Sequence, residues 1–84
     1  MRFLDHDAVK AEIGPRSRMQ IWRDVKADRF PRPVLVGGRK AWIDREVASY
    51  QRWRQALRDN ETAIKTWSAW WEHDRRQVEE EAAA

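Results

Sequence analysis

The chain has no cysteine. That rules out disulfide staples and thiolate metal sites, and it fits a reducing cytosol. No apolar run approaches the length of a membrane span, so no membrane partner is expected. Met1 to Asp7 carry no signal-peptide core. Glycine and proline are scarce at three each, and neither occurs after Gly38. Groups able to do chemistry are as sparse. The two histidines, His6 and His73, are far apart in sequence, and neither sits in a ligand spacing. Ser17 has no obvious base partner. Gly37-Gly38 lacks the following helix and Lys-Ser/Thr of a phosphate loop. The expectation is a non-catalytic chain without cofactor or metal, residing in the cytoplasm.

Tryptophan, by contrast, is abundant, with six in 84 residues. A chain this short buries a modest fraction of its surface, and large aromatic rings supply the area a small core needs. Trp22, Trp42 and Trp53 are expected in that core. Charge is abundant too, and divided. Residues 1–58 hold 14 basic and 7 acidic side chains; residues 59–84 hold 3 and 7. A net charge of +3 thus hides a strongly basic amino-terminal part and an acidic tail. A basic compact domain favours a polyanion, and most of its cations are arginines, which suit bidentate phosphate and guanine contacts.

The stretch Ser17 to Trp42 organises the chain. Ser17 and Gln20 form a capping box, so a helix starts there and runs to about Asp28. At 100° per residue Ile21, Trp22 and Val25 share its inner face. Met19, Gln20, Arg23 and Lys26 point outward, where long donors suit a DNA major groove. Phe30-Pro31-Arg32-Pro33 ends the helix. Val34 to Val36 reads as a strand, Gly37-Gly38 as a two-residue turn, and Ala41 to Ile43 as the return strand, with Arg39 and Lys40 at the tip. Upstream, Asp5 caps a helix from His6 to Ile13, with Leu4 packing on Val9; Gly14 and Pro15 stop it. Two helices so tightly joined make a helix-turn-helix, and the basic hairpin makes it winged. The expected fold class is mainly α with a small β-hairpin, a winged helix-turn-helix with a C-terminal helical extension.

Individual residues admit more than one use. Arg23 is a base-edge or phosphate contact. Gln20 is a cap or an adenine reader. Arg18 stacks on Trp22 or meets a phosphate, and Met19 touches a thymine methyl or is tolerated. Arg16, Arg18 and Arg32 sit where backbone contacts are plausible, with Ser17 beside them. Arg39 and Lys40 reach phosphates or the minor groove.

Downstream, Asp44 is expected to cap a third helix. Tyr50, Leu57, Ile64, Trp71 and Val78 are spaced by seven, an imperfect heptad with a break expected at Asp59-Asn60 and Asn60 capping the next helix. Glu79 to Ala84 are expected to fray. The chain therefore divides into a DNA-binding domain, 1–58, and an acidic, Trp-rich helical tail, 59–84. The stripe Ile64, Trp67, Trp71 and Val78, bordered by Trp70, either folds back on its own domain or meets another chain. Self-association, between tails or head-to-tail along DNA, is the expectation. Truncation after Asp59 should then leave a monomer that still binds one site.

From Leu4 to about Trp53 the sequence resembles the AlpA and excisionase-type group of small winged-helix proteins, related to the DNA-binding part of MerR regulators. The resemblance is carried by Ser17-Arg18, Trp22-Arg23 (where the group usually has Tyr-Arg), Arg29-Phe30-Pro31-Arg32-Pro33-Val34, Gly37-Gly38-Arg39, Trp42 and the helix from Val47 to Trp53. Three places depart from it: Pro15-Arg16 is a slightly altered turn between the two helices, Asp24 stands where the group usually has an apolar residue, and Asp28 stands where it often has glycine. The resemblance implies a non-catalytic, nucleoid-associated factor of a phage or mobile element that binds double-stranded DNA. Its leading role would be a recombination directionality factor that bends attachment-site DNA and biases a site-specific integrase toward excision. The alternatives are an AlpA-like transcription regulator or an adaptor acting through its Trp-rich tail.

Overall fold

The computed structural model describes residues 1–83. It is mainly helical, with a small three-strand antiparallel sheet: β1 (Phe3–Leu4), α1 (His6–Ile13), α2 (Arg18–Lys26), β2 (Val34–Val36), β3 (Arg39–Ile43), α3 (Asp44–Arg58) and α4 (Trp67–Ala83).

Local chemistry sets most boundaries. The Asp5 side chain accepts from the Ala8 N–H and caps α1, and Gly14, at φ 92°, closes it. Ser17 and Gln20 make both bonds of the capping box that starts α2. That helix ends two residues before Asp28, because Asp28 turns left-handed at φ 56° and Arg29 N–H reaches back to the Asp24 carbonyl. This is the Schellman geometry usually supplied by glycine. The same motif ends α3, with Asn60 at φ 54° and Glu61 N–H on the Ala56 carbonyl. The expected break at Asp59-Asn60 is therefore present. Asn60 does not cap the next helix, however: it closes α3, and α4 begins seven residues later at Trp67.

The hairpin has the expected Gly-Gly turn, both glycines at positive φ, with Leu35 opposite Lys40 and Val36 opposite Arg39. A third strand joins it. Phe3 pairs with Ile43 and Leu4 with Trp42, putting β3 in the centre. Two residues are too short for an alternation to announce itself in sequence. Asp44 is the first residue inside α3, not its cap. Its N–H donates to the Arg2 carbonyl, continuing the β1 pairing. Its carboxyl is held below the ordinary value chiefly by the backbone N–H of Arg2, against an opposing effect of burial, with a lesser contribution from the backbone N–H of Arg45.

One core runs through the whole chain. Trp42, Phe30, Tyr50, Trp53 and Trp67 form an unbroken series of edge-on and tilted ring contacts at 4.7–6.4 Å, and Trp71 stacks on Trp67 at 5.6 Å. Trp42 is buried as expected, its indole N–H on the Pro31 carbonyl at 2.9 Å. The tail belongs to this core, which corrects the division at residue 58. Trp67 and Trp70 are buried and Ile64 and Trp71 pack against the same cluster. The indole N–H of Trp70 donates to the carbonyl and hydroxyl oxygens of Ser49, and that of Trp53 to the Ile64 carbonyl. Asp74 accepts from Ser49 Oγ and Arg52. Of the five residues expected to form a self-association stripe, Trp67 and Trp70 are buried, Ile64 and Trp71 are half-buried, and Val78 alone is exposed. The physical reason is the loop 61–66, which follows the break at Asp59-Asn60, reverses the chain and lays α4 on α3. Helix α4 continues through Glu79, where fraying was expected, to Ala83; Ala84 lies outside the described residues.

Candidate nucleic-acid interface

Helix α2 buries Ile21 and half-buries Val25 and Asp24, and exposes Arg18, Met19, Gln20, Trp22, Arg23 and Lys26. Trp22 is the departure. Expected in the core, it is 45% exposed. At 40° from Arg18 around the helix it lies on the border that faces the hairpin, where no further layer covers it. Two ammonium groups approach its ring: Lys26 Nζ lies 5.3 Å and Lys40 Nζ 4.8 Å from the centroid. Lys26 comes from the next turn of α2 and Lys40 from β3, so the indole joins the two elements.

Between them lies a groove of about 620 Å³. Trp22, Pro33 and Trp42 supply apolar lining, Arg18, Arg39 and Lys40 supply cations, and Asp5 and Asp7 make one end, near the start of α1, acidic. His6 also lines that end, and its buried Nε2 has no hydrogen-bond partner among the described residues. An anionic strand would therefore follow the α2 and hairpin side, where like charges sit close together and gain from a shared counter-charge.

The other expected contacts fare differently. Arg23 is exposed and makes no ion pair among the described residues. Met19 is 57% exposed on the same face. Of the two uses of Gln20 the cap is realised: its Oε1 takes the Ser17 N–H at 2.8 Å. That bond turns the amide back onto the helix start, whereas a bidentate adenine contact needs both its oxygen and its N–H groups presented outward. Ser17 keeps its hydroxyl proton, because Oγ serves the cap as acceptor. Arg16 is half-buried and held by Asp24 at 2.9 Å, with its guanidinium 5.9 Å from the Tyr50 ring centre, so it is a structural residue here. Arg29 pairs with the same carboxylate at 3.1 Å. Arg32 is exposed between two prolines but does not line the groove. Thus Arg18, Arg39 and Lys40 come together, with Lys26 adjoining through Trp22, and Arg16 and Arg32 stand apart. Sequence reasoning missed Trp22, although Arg18 and Lys26 stand four residues to either side of it, a cation on each flank of one face.

No three His, Asp or Glu side chains among the described residues converge so as to hold a metal ion. No described helix is long and apolar enough to cross a membrane. No protein-family model, curated protein or solved structure matches the chain.

Proposed function

We propose that this chain is a winged helix-turn-helix protein that binds double-stranded DNA. In this reading α1 and α2 are the helix-turn-helix, α2 lies in the major groove, and the β2–β3 hairpin is the wing. The observation that carries it is the exposed Trp22 ring with a lysine from each element over it, in a groove that Arg18 and Arg39 also line. An exposed indole flanked by cations suits a sugar–phosphate strand, with apolar surface for the deoxyribose and ammonium and guanidinium groups for the phosphates. Arg23 and Met19 face outward on the adjoining surface of α2 and would meet base edges. The narrower role, a recombination directionality factor serving an integrase, rests on the sequence resemblance alone. An adaptor acting through the tail is less well supported, because Trp67 and Trp70 are buried.

The test is binding of the full chain to duplex DNA by fluorescence anisotropy, alongside Trp22→Ala. Trp22→Ala removes the apolar surface offered to the deoxyribose and the ring that holds Lys26 and Lys40 in place, and should weaken binding roughly tenfold with the fold intact. No retention of the wild-type chain on any duplex at low salt would sink the proposal. Footprinting on attachment and promoter regions then separates the roles: tandem protection beside an integrase site supports excision.

A further inference from the structure

The fold-back of α4 leaves a second groove, of about 520 Å³, between α3 and α4. Arg45, Ala48 and Arg52 line it from α3, and Trp71, Arg75 and Val78 from α4. Two apolar groups there are incompletely covered. Trp71 is half-buried, with one ring contact to Trp67, and Val78 is 55% exposed one heptad further on. Trp71, Arg75, Val78 and Ala82 fall within about 60° of one another around the helix, a single stripe. Glu79 borders it and also lines the groove. Neither Arg75 nor Glu79 has an ion-pair partner among the described residues, although they stand one turn apart.

We propose that this face is the interface of a two-fold homodimer in which α4 of one copy crosses α4 of the other antiparallel, near Arg76 and Gln77. The occupant is a second copy because the stripe is self-complementary. With the crossing at that point, Trp71 of each chain lies level with Ala82 of the other, and the two Val78 side chains meet at the centre. Arg75 of each then lies beside Glu79 of the other. One chain supplies both halves of each contact, as an isologous interface requires. Charge supports the same register. The only open cation on the stripe meets an open acid, and symmetry makes the pair twice. The apolar centre with a charged border has the usual anatomy of an interface. Such a contact closes at two copies, and of the two associations expected from the sequence it takes the one between tails over the head-to-tail one. It uses only the residues that the fold-back leaves available.

The experiment is sedimentation of the full-length chain without DNA, so that its outcome is independent of the proposed DNA binding. The variants are Val78→Glu, Arg75→Glu, Glu79→Arg and the double swap Arg75→Glu with Glu79→Arg. All three positions are exposed, and melting curves report whether the fold is kept. The wild type should be a dimer and Val78→Glu a monomer. Each single swap brings two pairs of like charges together and should weaken association about tenfold or more. The double swap restores opposite charges in both pairs and should recover wild-type association. A wild-type chain that remains monomeric at high concentration would overturn the proposal. So would Val78→Glu dimerising like wild type, or a double swap no better than the singles.

Discussion

Trp70 tests whether the tail is part of the core or an appendage. The residue is 8% exposed, and its indole N–H is shared between Ser49 O and Ser49 Oγ, both at 3.0 Å. Trp70→Phe keeps most of the apolar area and removes one buried hydrogen bond. The Ser49 hydroxyl still reaches Asp74, so the loss should stay near 1–2 kcal/mol. For a chain of this size that corresponds to a fall of roughly 5–15 °C in Tm. Trp70→Ala leaves a cavity as well and should cost about 3–5 kcal/mol. At roughly 0.05–0.15 kcal/mol per residue, that is a large share of what 84 residues can have in total. Urea unfolding followed by circular dichroism and by tryptophan fluorescence should show one transition with an earlier midpoint and an unchanged slope. If Trp70→Ala melts within about 2 °C of wild type, or only a helical fraction melts early, α4 is not part of the cooperative core. The same logic overturns the sequence-based expectation for truncation after Asp59. Without the tail, Trp53 loses the Trp67 ring and the Ile64 carbonyl that takes its N–H, and the remainder should not fold stably.

Three further outcomes are expected. Burial pushes the Asp74 carboxyl upward, but the bonds from Arg52 and Ser49 outweigh it and hold the value below that of a free carboxylate. Its stabilisation should be complete above the unfolded Asp value of about 3.9 and disappear as pH falls through the lower folded value, so Asp74→Asn should flatten the acid limb of a Tm-versus-pH curve; equal acid limbs would remove Asp74 from the balance. Arg39→Ala with Lys40→Ala should weaken binding to all DNA sequences and make the slope of log K against log salt shallower by about one to two units, whereas parallel slopes would take the hairpin tip off the DNA. Arg23→Ala should leave melting unchanged and cost about 1–3 kcal/mol on a cognate site with relaxed specificity, and gel shifts identical to wild type would exclude it from the interface.

The amino-terminal half was legible because its signals are local. Asp5, Gly14, Ser17 with Gln20, and Gly37-Gly38 each act within a few residues, and each does in the structure what its chemistry suggests. The tail was not, because its decisive contacts are remote. Ser49 meets Trp70 across 21 residues, and Asp28 meets Ser68 across 40. The spacing of seven from Tyr50 to Val78 suggested one seam, yet Ile64 lies in the reversing loop and the two halves of the pattern sit on antiparallel helices. Within the candidate interface the outward direction of Arg23 and Met19 followed from the helix period. The capture of Arg16 by Asp24 did not, since it depends on how α2 meets the turn before it.

Asp24 and Asp28 have a shared physical account. An apolar residue in place of Asp24 could not hold Arg16 and Arg29, which converge on its carboxylate from before and after α2. Glycine in place of Asp28 would take φ 56° freely, whereas aspartate, though among the side chains that tolerate the left-handed region best, carries some strain there. Against that strain stand three bonds at the start of α4. The Asp28 carbonyl accepts from Trp67 N–H, and its carboxylate accepts from the N–H and the hydroxyl of Ser68. A carboxylate at a helix N-terminus also gains from the helix dipole. The strained turn that ends α2 is thus the anchor that starts α4. Helix α2 is fixed at one side by the arginine pair on Asp24 and at its end by the docked tail. The orientation of Arg23, Met19 and Trp22 therefore depends on residues more than forty positions downstream, and a change that loosens α4 should disturb the α2 face without touching it.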